Sequence, residues 1–334
     1  MQNNMKFLTS IFLLLAALSY YFVSTSKTTI EQEKNFIPEL QSQVNDIDAI
    51  QISRNNQQIS LYKKEDSWRI VEANNFIADA NIVASLLLSL RKFKLKEKKT
   101  KNPKNYDKLS LSETGKHAAT KIILSKSGKI VSHVAIGKEA RNGQGTYVKE
   151  NLSSQTWLSQ GNLKIKLDIK NWIVNSLFDV EINQIKSVAF NSTETESFFI
   201  NKLTPKDQVF AIESLPEDKQ LIQDYDLDNL ANGLKKFTIE TIHDITNLPL
   251  SSILTITYQL FNGVEYHLEF YQKDNQYLMT VNMANVTNGY EFEKQLNKWA
   301  YVIPSYKFDT LNIKLTDIIE DLVNEELLID NPVK

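Results

Sequence analysis

Cysteine is absent from this 334-residue chain. Its absence excludes disulfides, thiolate metal sites and cysteine nucleophiles. It leaves the compartment open, because reducing and oxidising compartments both accept cysteine-free chains. A strong net charge is also missing. With 38 Lys and Arg against 40 Asp and Glu the formal balance is −2, so no global field argues for nucleic acid or for an acidic polymer. Histidine is scarce. His117, His133, His243 and His267 form no HxH or HExxH pair. The GxSxG elbow of a serine nucleophile does not occur. In SETGKHAAT (112–120), Ser110 stands where a phosphate loop needs its first glycine, and His117 where it needs Ser or Thr. NGQGTYV (142–148) carries its glycines ahead of a strand, whereas a dinucleotide site needs them between a strand and a following helix.

Partial metal patterns fail in the same way. His243–Asp244 resembles the doublet of metal phosphohydrolases, but no further ligands assemble around it. Asp224, Asp226 and Asp228 alternate like the opening of a calcium loop. Asn229 then stands where that loop needs Gly, and Lys235 where it needs a bidentate Glu. Acids at a helix start, favoured by the dipole, account for them. Glu325 and Glu326 are adjacent on an expected helix and so point different ways. No metal, cofactor or catalytic residue is therefore expected. Carboxylate chemistry rests on spatial pairing that sequence does not reveal.

Long apolar runs are confined to the N-terminus. Phe7–Val23 is 17 residues without a charge, preceded by Lys6, at the short end of a membrane span. The core runs on through Tyr20, Tyr21 and Phe22, aromatics suited to an interface. Ser24–Thr25–Ser26 is a weak cleavage site. An uncleaved signal anchor over 1–27 is favoured over a cleaved signal peptide, with the bulk of the chain outside. Residues 28–45 read as a linker, with a short helix after Pro38.

Beyond the linker the chain reads the same way twice. AIQIS (49–53), QISLYK (58–63) and WRIVE (68–72) alternate as half-buried strands do. ADANIVASLLLSLRKF (78–93) then brings Val83, Leu86, Leu87 and Leu90 to helical spacing, with Asp79 as its cap. A hairpin over 120–137 turns at Ser127–Gly128, and GTYVKE and QTWLSQ make two more strands. LDIKNWIVNSLF (167–178) reads as a short helix or helical turn. The second pass has strands at 182–191, 197–203 and 208–214, and a helix over 225–237 with Leu227, Leu230 and Leu234 on one face. A hairpin over 252–272 turns at Asn262–Gly263. A strand over 275–282 and a helix over 290–304 follow.

LRKFKLKE (90–97) is echoed by LKKFTIET (234–241) at an offset of 144, Gly128 by Gly263 at 135, and Trp172 by Trp299 at 127. Falling offsets are what small deletions in a second copy produce. The expected fold class is α+β, as two tandem repeated modules of mainly antiparallel sheet with packed helices plus an N-terminal transmembrane helix. The modules span 46–180 and 181–308, and a C-terminal helix over 311–327 lies in the segment 309–334.

One charge cluster stands apart. RKFKLKEKKTKNPKNY (91–106) holds Arg91, Lys92, Lys94, Lys96, Lys98, Lys99, Lys101 and Lys104 against one acid, Glu97. The plain reading is a solvated helix end and loop, with cations favoured by the helix C-terminus. The functional reading is contact with anionic headgroups or an acidic partner; nucleic acid is not expected. The second copy keeps only Lys235 and Lys236 here, so the patch is not part of the shared scaffold.

The run IQISRNNQQISLYKKEDSWRI, a helix, and NPKNYDKLSLSETGKHAATKIILSKSGKIVSHVAIGKEARNGQGTYVKE together resemble the bacterial domain-of-unknown-function 4340 family. Its marking positions are matched by Trp68, by Tyr106, Leu109 and Leu111, by Ile136–Gly137, and by Tyr147–Val148. The resemblance covers 46–180 well and the second half more loosely. Leu109–Ser110–Leu111 departs from the usual Gly-Leu after the Tyr. These positions mark a fold and carry no active site. The resemblance implies a membrane-anchored protein outside the cytoplasm, associated with ABC-type export systems related to gliding-motility auxiliary components. The expectation is a non-enzymatic accessory of an ABC-type transporter, single-pass in the inner membrane with its bulk periplasmic. Its partner would be the permease or an auxiliary membrane protein. A stand-alone module binding an envelope polymer or lipid, and a hydrolase with an unrecognised carboxylate site, are the alternatives.

Overall fold

The computed structural model describes residues 34–193, 195–207, 209–286 and 293–322. In chain order it forms β1 (Lys34–Asn35), α1 (Leu40–Gln43), β2 (Ala49–Arg54), β3 (Gln57–Lys64), β4 (Ser67–Ile70), β5 (Phe76–Ile77), α2 (Ala80–Lys92) and β6 (Lys94–Lys98). There follow β7 (Thr120–Lys126), β8 (Lys129–Glu139), β9 (Thr146–Glu150), β10 (Thr156–Gln160) and β11 (Ser176–Phe178). Then come β12 (Ile185–Ser192), β13 (Phe198–Asn201), β14 (Ala211–Ile212), β15 (Lys219–Leu221), α3 (Asp228–Ala231), β16 (Phe237–Thr238) and β17 (Thr241–Asp244). The last elements are β18 (Leu254–Leu260), β19 (Glu265–Lys273), β20 (Gln276–Ala284), β21 (Trp299–Ile303), α4 (Ser305–Leu311) and β22 (Ile319–Asp321). The protein is thus mostly antiparallel sheet with a few helices, an α+β fold.

Two compact units share the chain in alternating pieces. One takes the residues up to Asn45, Leu87–Ala119 and Ser132–Leu163; the other takes Asp46–Leu86, Thr120–Val131 and everything from Lys164 on. In the first unit the strand order is β1-β6-β10-β9-β8. The second unit has the order β7-β2-β3-β4-β5, an eight-stranded sheet in the order β14-β13-β12-β18-β19-β20-β21-β17, and the small pairs β11-β16 and β15-β22.

Alternation in the sequence sets the register. Ile50 and Ile52 of β2 lie opposite Leu61 and Ile59 of β3, and opposite Leu124 and Ile122 of β7. All six are at most 2% exposed. A one-residue slip would turn each of them to the other face, so burial fixes the pairing. Helix α2 starts where expected, with Asp79 Oδ1 accepting the backbone N–H of Asn81 at 2.8 Å. Val83, Leu86, Leu87 and Leu90 are buried along it, and so are Leu227, Leu230 and Leu234 in and beside α3. The Asn262–Gly263 turn forms as expected: Gly263 has φ +87°, and Asn262 Oδ1 accepts the Val264 N–H at 3.0 Å.

Several expected elements form differently. Residues 34–45, read as part of a linker, are folded: Phe36, Ile37 and Leu40 are at most 2% exposed, and α1 follows Pro38 as expected. The helix expected over 290–304 is a 3-10 segment, Glu293–Lys298, followed by β21, in which every residue is buried. Trp172 directly follows a 3-10 turn at Ile169–Asn171, whereas Trp299 opens a strand, so the two tryptophans do not hold equivalent places. In place of a helix from 311, α4 ends at Leu311 and a 3-10 turn leads into β22. The rest of that expected helix, Glu325 and Glu326 included, lies outside the described residues, as does the anchor expected at 1–27. Among the described residues no helix is long and apolar enough to cross a membrane.

Candidate functional site

The basic segment is only partly a loop. Lys94–Lys98 is strand β6, paired with β10 through Trp157↔Lys98, Leu158↔Glu97, Ser159↔Leu95 and Gln160↔Lys94. The register shifts between Leu158 and Ser159, so Lys96 is the extra residue of a bulge. On its other side β6 pairs with β1, through Lys34↔Leu95 and Asn35↔Lys94. Among the described residues the pairing with β1 covers Lys94 and Leu95 of β6. Lysines and a bulge are two of the devices that keep an exposed edge from pairing with another chain. A charged, bulged strand takes the place of the solvated loop as the plain explanation of Lys94, Lys96 and Lys98.

The cations before and after the strand are also held. Arg91 and Lys92 end α2, where positive charge complements the helix dipole. The Arg91 carbonyl accepts from Gln41 Nε2 at 2.8 Å. Beyond β6 the pairing continues: Lys99 N–H donates to the Thr156 carbonyl, and Thr156 N–H to that of Thr100, each at 2.9 Å. Asn102 Oδ1 accepts the Lys104 N–H at 3.1 Å and caps a 3-10 turn over Pro103–Asn105. Lys92, Lys96, Lys98, Lys99, Lys101 and Lys104 are exposed, and Arg91 and Lys94 half-buried. Lys99 Nζ pairs with Glu97 at 2.6 Å, a surface contact worth about 0–1 kcal/mol. Lys98 Nζ lies 5.4 Å from the centre of the Trp157 ring. The eight predicted residues are thus brought onto one continuous, hydrogen-bonded stretch.

The fold-marking residues of the same unit pack together after that stretch. Tyr106, Leu111, Ala119 and Ala135 form a buried cluster, with Leu109 and Tyr147 packed against it. The Tyr106 hydroxyl donates to the Ser154 carbonyl at 2.6 Å, and Lys149 Nζ sits 5.6 Å from its ring centre. Burial, with the Glu113 charge adding to it, pushes the Tyr106 hydroxyl above the ordinary phenol range. A side chain at Gly137 would meet the Leu109 carbonyl at 2.3 Å, so glycine there admits the 109–111 loop onto β8.

The weaker sequence candidates are placed as follows. His267 Nδ1 lies 3.1 Å from Thr257 Oγ1, and its Nε2 3.3 Å from Glu265 on the same strand. His133 lies on β8 and His243 on β17, apart in sequence from any further ligand pair. Asp226 accepts the Asp228 N–H at 2.9 Å at the start of α3, which is the helix-start role. Burial holds the Asp228 carboxyl above the usual carboxylate range. Among the described residues no three His, Asp or Glu side chains converge as a metal site. An open groove of about 560 Å³ is lined by Glu196, Glu213, Ser197 and Phe199 among others. Glu213 there accepts from Asn201 at 2.7 Å.

Sequence reasoning missed Arg69. It sits in β4 between Trp68 and Ile70, and all three are buried. A half-buried strand predicts an outward Arg there, and nothing in the local pattern marks the difference.

These features define an antiparallel α+β protein whose charged edge is built into the sheet. Residues 68–251, more than half of the chain, match the family described as Domain of unknown function (DUF4340), and the chain belongs to that family. No curated protein matches it.

Proposed function

We propose that the protein is a non-enzymatic, membrane-anchored accessory of an ABC-type transporter, with its body outside the cytoplasm. The N-terminal apolar run would confine it to the membrane plane, and the basic segment would meet anionic headgroups or an acidic subunit of the complex. The observation that carries this reading is the basic segment itself. Arg91 and Lys92 end a helix, Lys94, Lys96 and Lys98 stand on a strand, and Lys104 lies in a capped turn. Little entropy remains to be lost when an ordered charged surface meets its partner. Edge protection alone would explain Lys96 and Lys98. It does not call for further cations at Lys99, Lys101 and Lys104, beyond the strand.

A duplicated scaffold belongs to the same proposal. What supports it is strand order. The run β6-β10-β9-β8 corresponds to β17-β21-β20-β19, and β7-β2-β3-β4 to β18-β12-β13-β14. In this alignment the partner of Trp299 in β21 is Trp157 in β10, not Trp172. The basic strand β6 takes the place of β17, whose sequence is TIHD. One copy of the scaffold then keeps the framework, and the other loads the equivalent strand with charge.

The test is crosslinking in cells, followed by affinity purification of the full chain in gentle detergent. Recovery of permease and ATPase subunits supports the proposal. Recovery of the protein alone, or with envelope polymer or lipid only, sinks it and favours a stand-alone binding module.

A further inference from the structure

A second cationic feature belongs to the second unit. A cavity of about 200 Å³ is lined by Tyr62, Lys64, Arg69, Asn74, Asn75, Lys298 and Trp299. Three of these are cations and none is an acid. The register explains the gathering. Tyr62 of β3 lies opposite Arg69 of β4, so the two share a sheet face, and Lys64 follows two residues after Tyr62 on that face. Asn74 and Asn75 both take left-handed backbone, with φ +50° and +63°, a conformation asparagine tolerates. They wrap the chain around the rim. Trp299 supplies a fixed wall: its Nε1 donates to the Ala73 carbonyl at 3.2 Å, and Phe76 packs edge-on to it at 5.0 Å.

Arg69 is the anomaly. The residue is 8% exposed, yet among the described residues its guanidinium makes one hydrogen bond, from Nη1 to the Asn75 carbonyl at 3.4 Å. Its Nε is buried without a partner. A buried guanidinium without a carboxylate is costly, and buried donors are ordinarily satisfied. Asn75 Oδ1 is already occupied by the Tyr62 hydroxyl at 3.0 Å. One carboxylate approaches through Asn74, which bonds to Asp244. It does not line the cavity. Its Oδ1 also accepts the Thr246 N–H and hydroxyl at 2.9 and 2.8 Å. Those bonds hold the Asp244 carboxyl below its usual range.

We propose that the Lys64–Arg69–Lys298 cavity binds a small phosphate-class oxyanion, either the free ion or the phosphoryl group of a small monoester. The planar fork of Arg matches such an anion in two-point fashion, and the lysines add point charges at the mouth. The volume falls below that of sites for drug-sized molecules, roughly 300–1,000 Å³, and suits one tetrahedral group. The site is independent of the transporter reading and stands or falls separately.

The experiment is calorimetric titration of sodium phosphate into the full chain in mild detergent at constant ionic strength, with chloride and acetate as comparisons. The expected result is saturable binding of phosphate at one site, at least tenfold weaker in Arg69→Met and in the double variant Lys64→Ala/Lys298→Ala. Phosphate binding no tighter than chloride overturns the proposal, and so does binding unchanged in the double variant. Both lysines are exposed, so the double variant keeps the test intact should Arg69→Met fail to fold. Competition between inorganic phosphate and glycerol 3-phosphate then separates the two sources. Tighter binding of either one supports the site, whereas an acetate preference overturns the phosphate class.

Discussion

Gly161 should be the position at which a single methyl group loosens the basic strand. It follows β10, the strand that pairs with β6, and its carbonyl accepts the Thr146 hydroxyl at 2.9 Å. Its φ is +109°, a region that side-chain-bearing residues adopt at a cost of about 1–3 kcal/mol. An added Cβ would also lie 2.6 and 2.7 Å from two ring carbons of Phe93. Phe93 is 1% exposed and packs beside Phe36 at 6.5 Å, so the ring has little room to give. Forcing a methyl into such a place costs about 1–3 kcal/mol more. Gly161→Ala should therefore destabilise by about 2–6 kcal/mol, a large share of the 5–15 kcal/mol typical of a folded protein. The matched control is Gly128→Ala. Gly128 has φ +74° with nothing within 4 Å of the added atom, so it carries only a backbone penalty of about 1–2 kcal/mol. The gain from a less flexible unfolded chain is common to both substitutions and cancels in the difference. Urea unfolding followed by tryptophan fluorescence gives the two values. Hydrogen exchange at the amides of Lys94–Lys98 should rise in Gly161→Ala and stay unchanged in Gly128→Ala. Equal destabilisation by the two alanines would refute the steric argument.

Lys98→Glu/Lys99→Glu/Lys101→Glu should lower the melting temperature only modestly, since Lys98 and Lys101 are exposed and the Lys99–Glu97 pair that is lost is worth about 0–1 kcal/mol. The same variant should lose recovery of transporter subunits after crosslinking; full recovery would end the role proposed for the patch. Leu90→Ala should cost about 2–5 kcal/mol and Leu88→Ala under about 0.5 kcal/mol, because Leu90 is fully buried and Leu88 is 45% exposed on the same helix; denaturant midpoints decide. Burial pushes the hydroxyls of Tyr258 and Tyr301 well above the ordinary phenol range. The folded state therefore keeps protons that the unfolded state releases near pH 10. Stability should be flat below that pH and fall as it rises further. Tyr258→Phe and Tyr301→Phe should flatten the alkaline limb of the stability curve, and an unchanged limb would count against this account.

Much of the fold was legible because apolar residues announced their period. Helix α2 combined a capping Asp79 with leucines at helical spacing, and the Asn262–Gly263 hairpin combined turn chemistry with clean alternation. Other elements were hidden for identifiable reasons. In β6, KLKEK has one apolar residue, Leu95, and a bulge at Lys96, so the alternation that marks a strand is absent. In β21, WAYVI is buried on both faces and therefore uniformly apolar, and such a run cannot be told from a helix by period alone. At the C-terminal end, LNIKLTDIIEDL carries a helical spacing, but Leu315 and Ile318 are buried through a 3-10 turn and the chain continues in a strand that pairs with β15. The candidate site divides in the same way. Its residues could be listed from charge density alone, while the order imposed on them came from contacts with Thr156, Gln41 and Asn102. Arg69 was invisible, since a buried and an exposed arginine look alike in a four-residue strand.

The alternation of the chain between its two units bears on how the protein can be taken apart. Passage from one unit to the other occurs after Asn45, Leu86, Ala119, Val131 and Leu163. A module joined by one linker can be excised, swapped between proteins or released by one protease cut. Here no single cut separates the two units, and an expression fragment ending after Leu86, Ala119 or Val131 truncates both. Exchange of one unit without the other would take more than one crossover in the sequence.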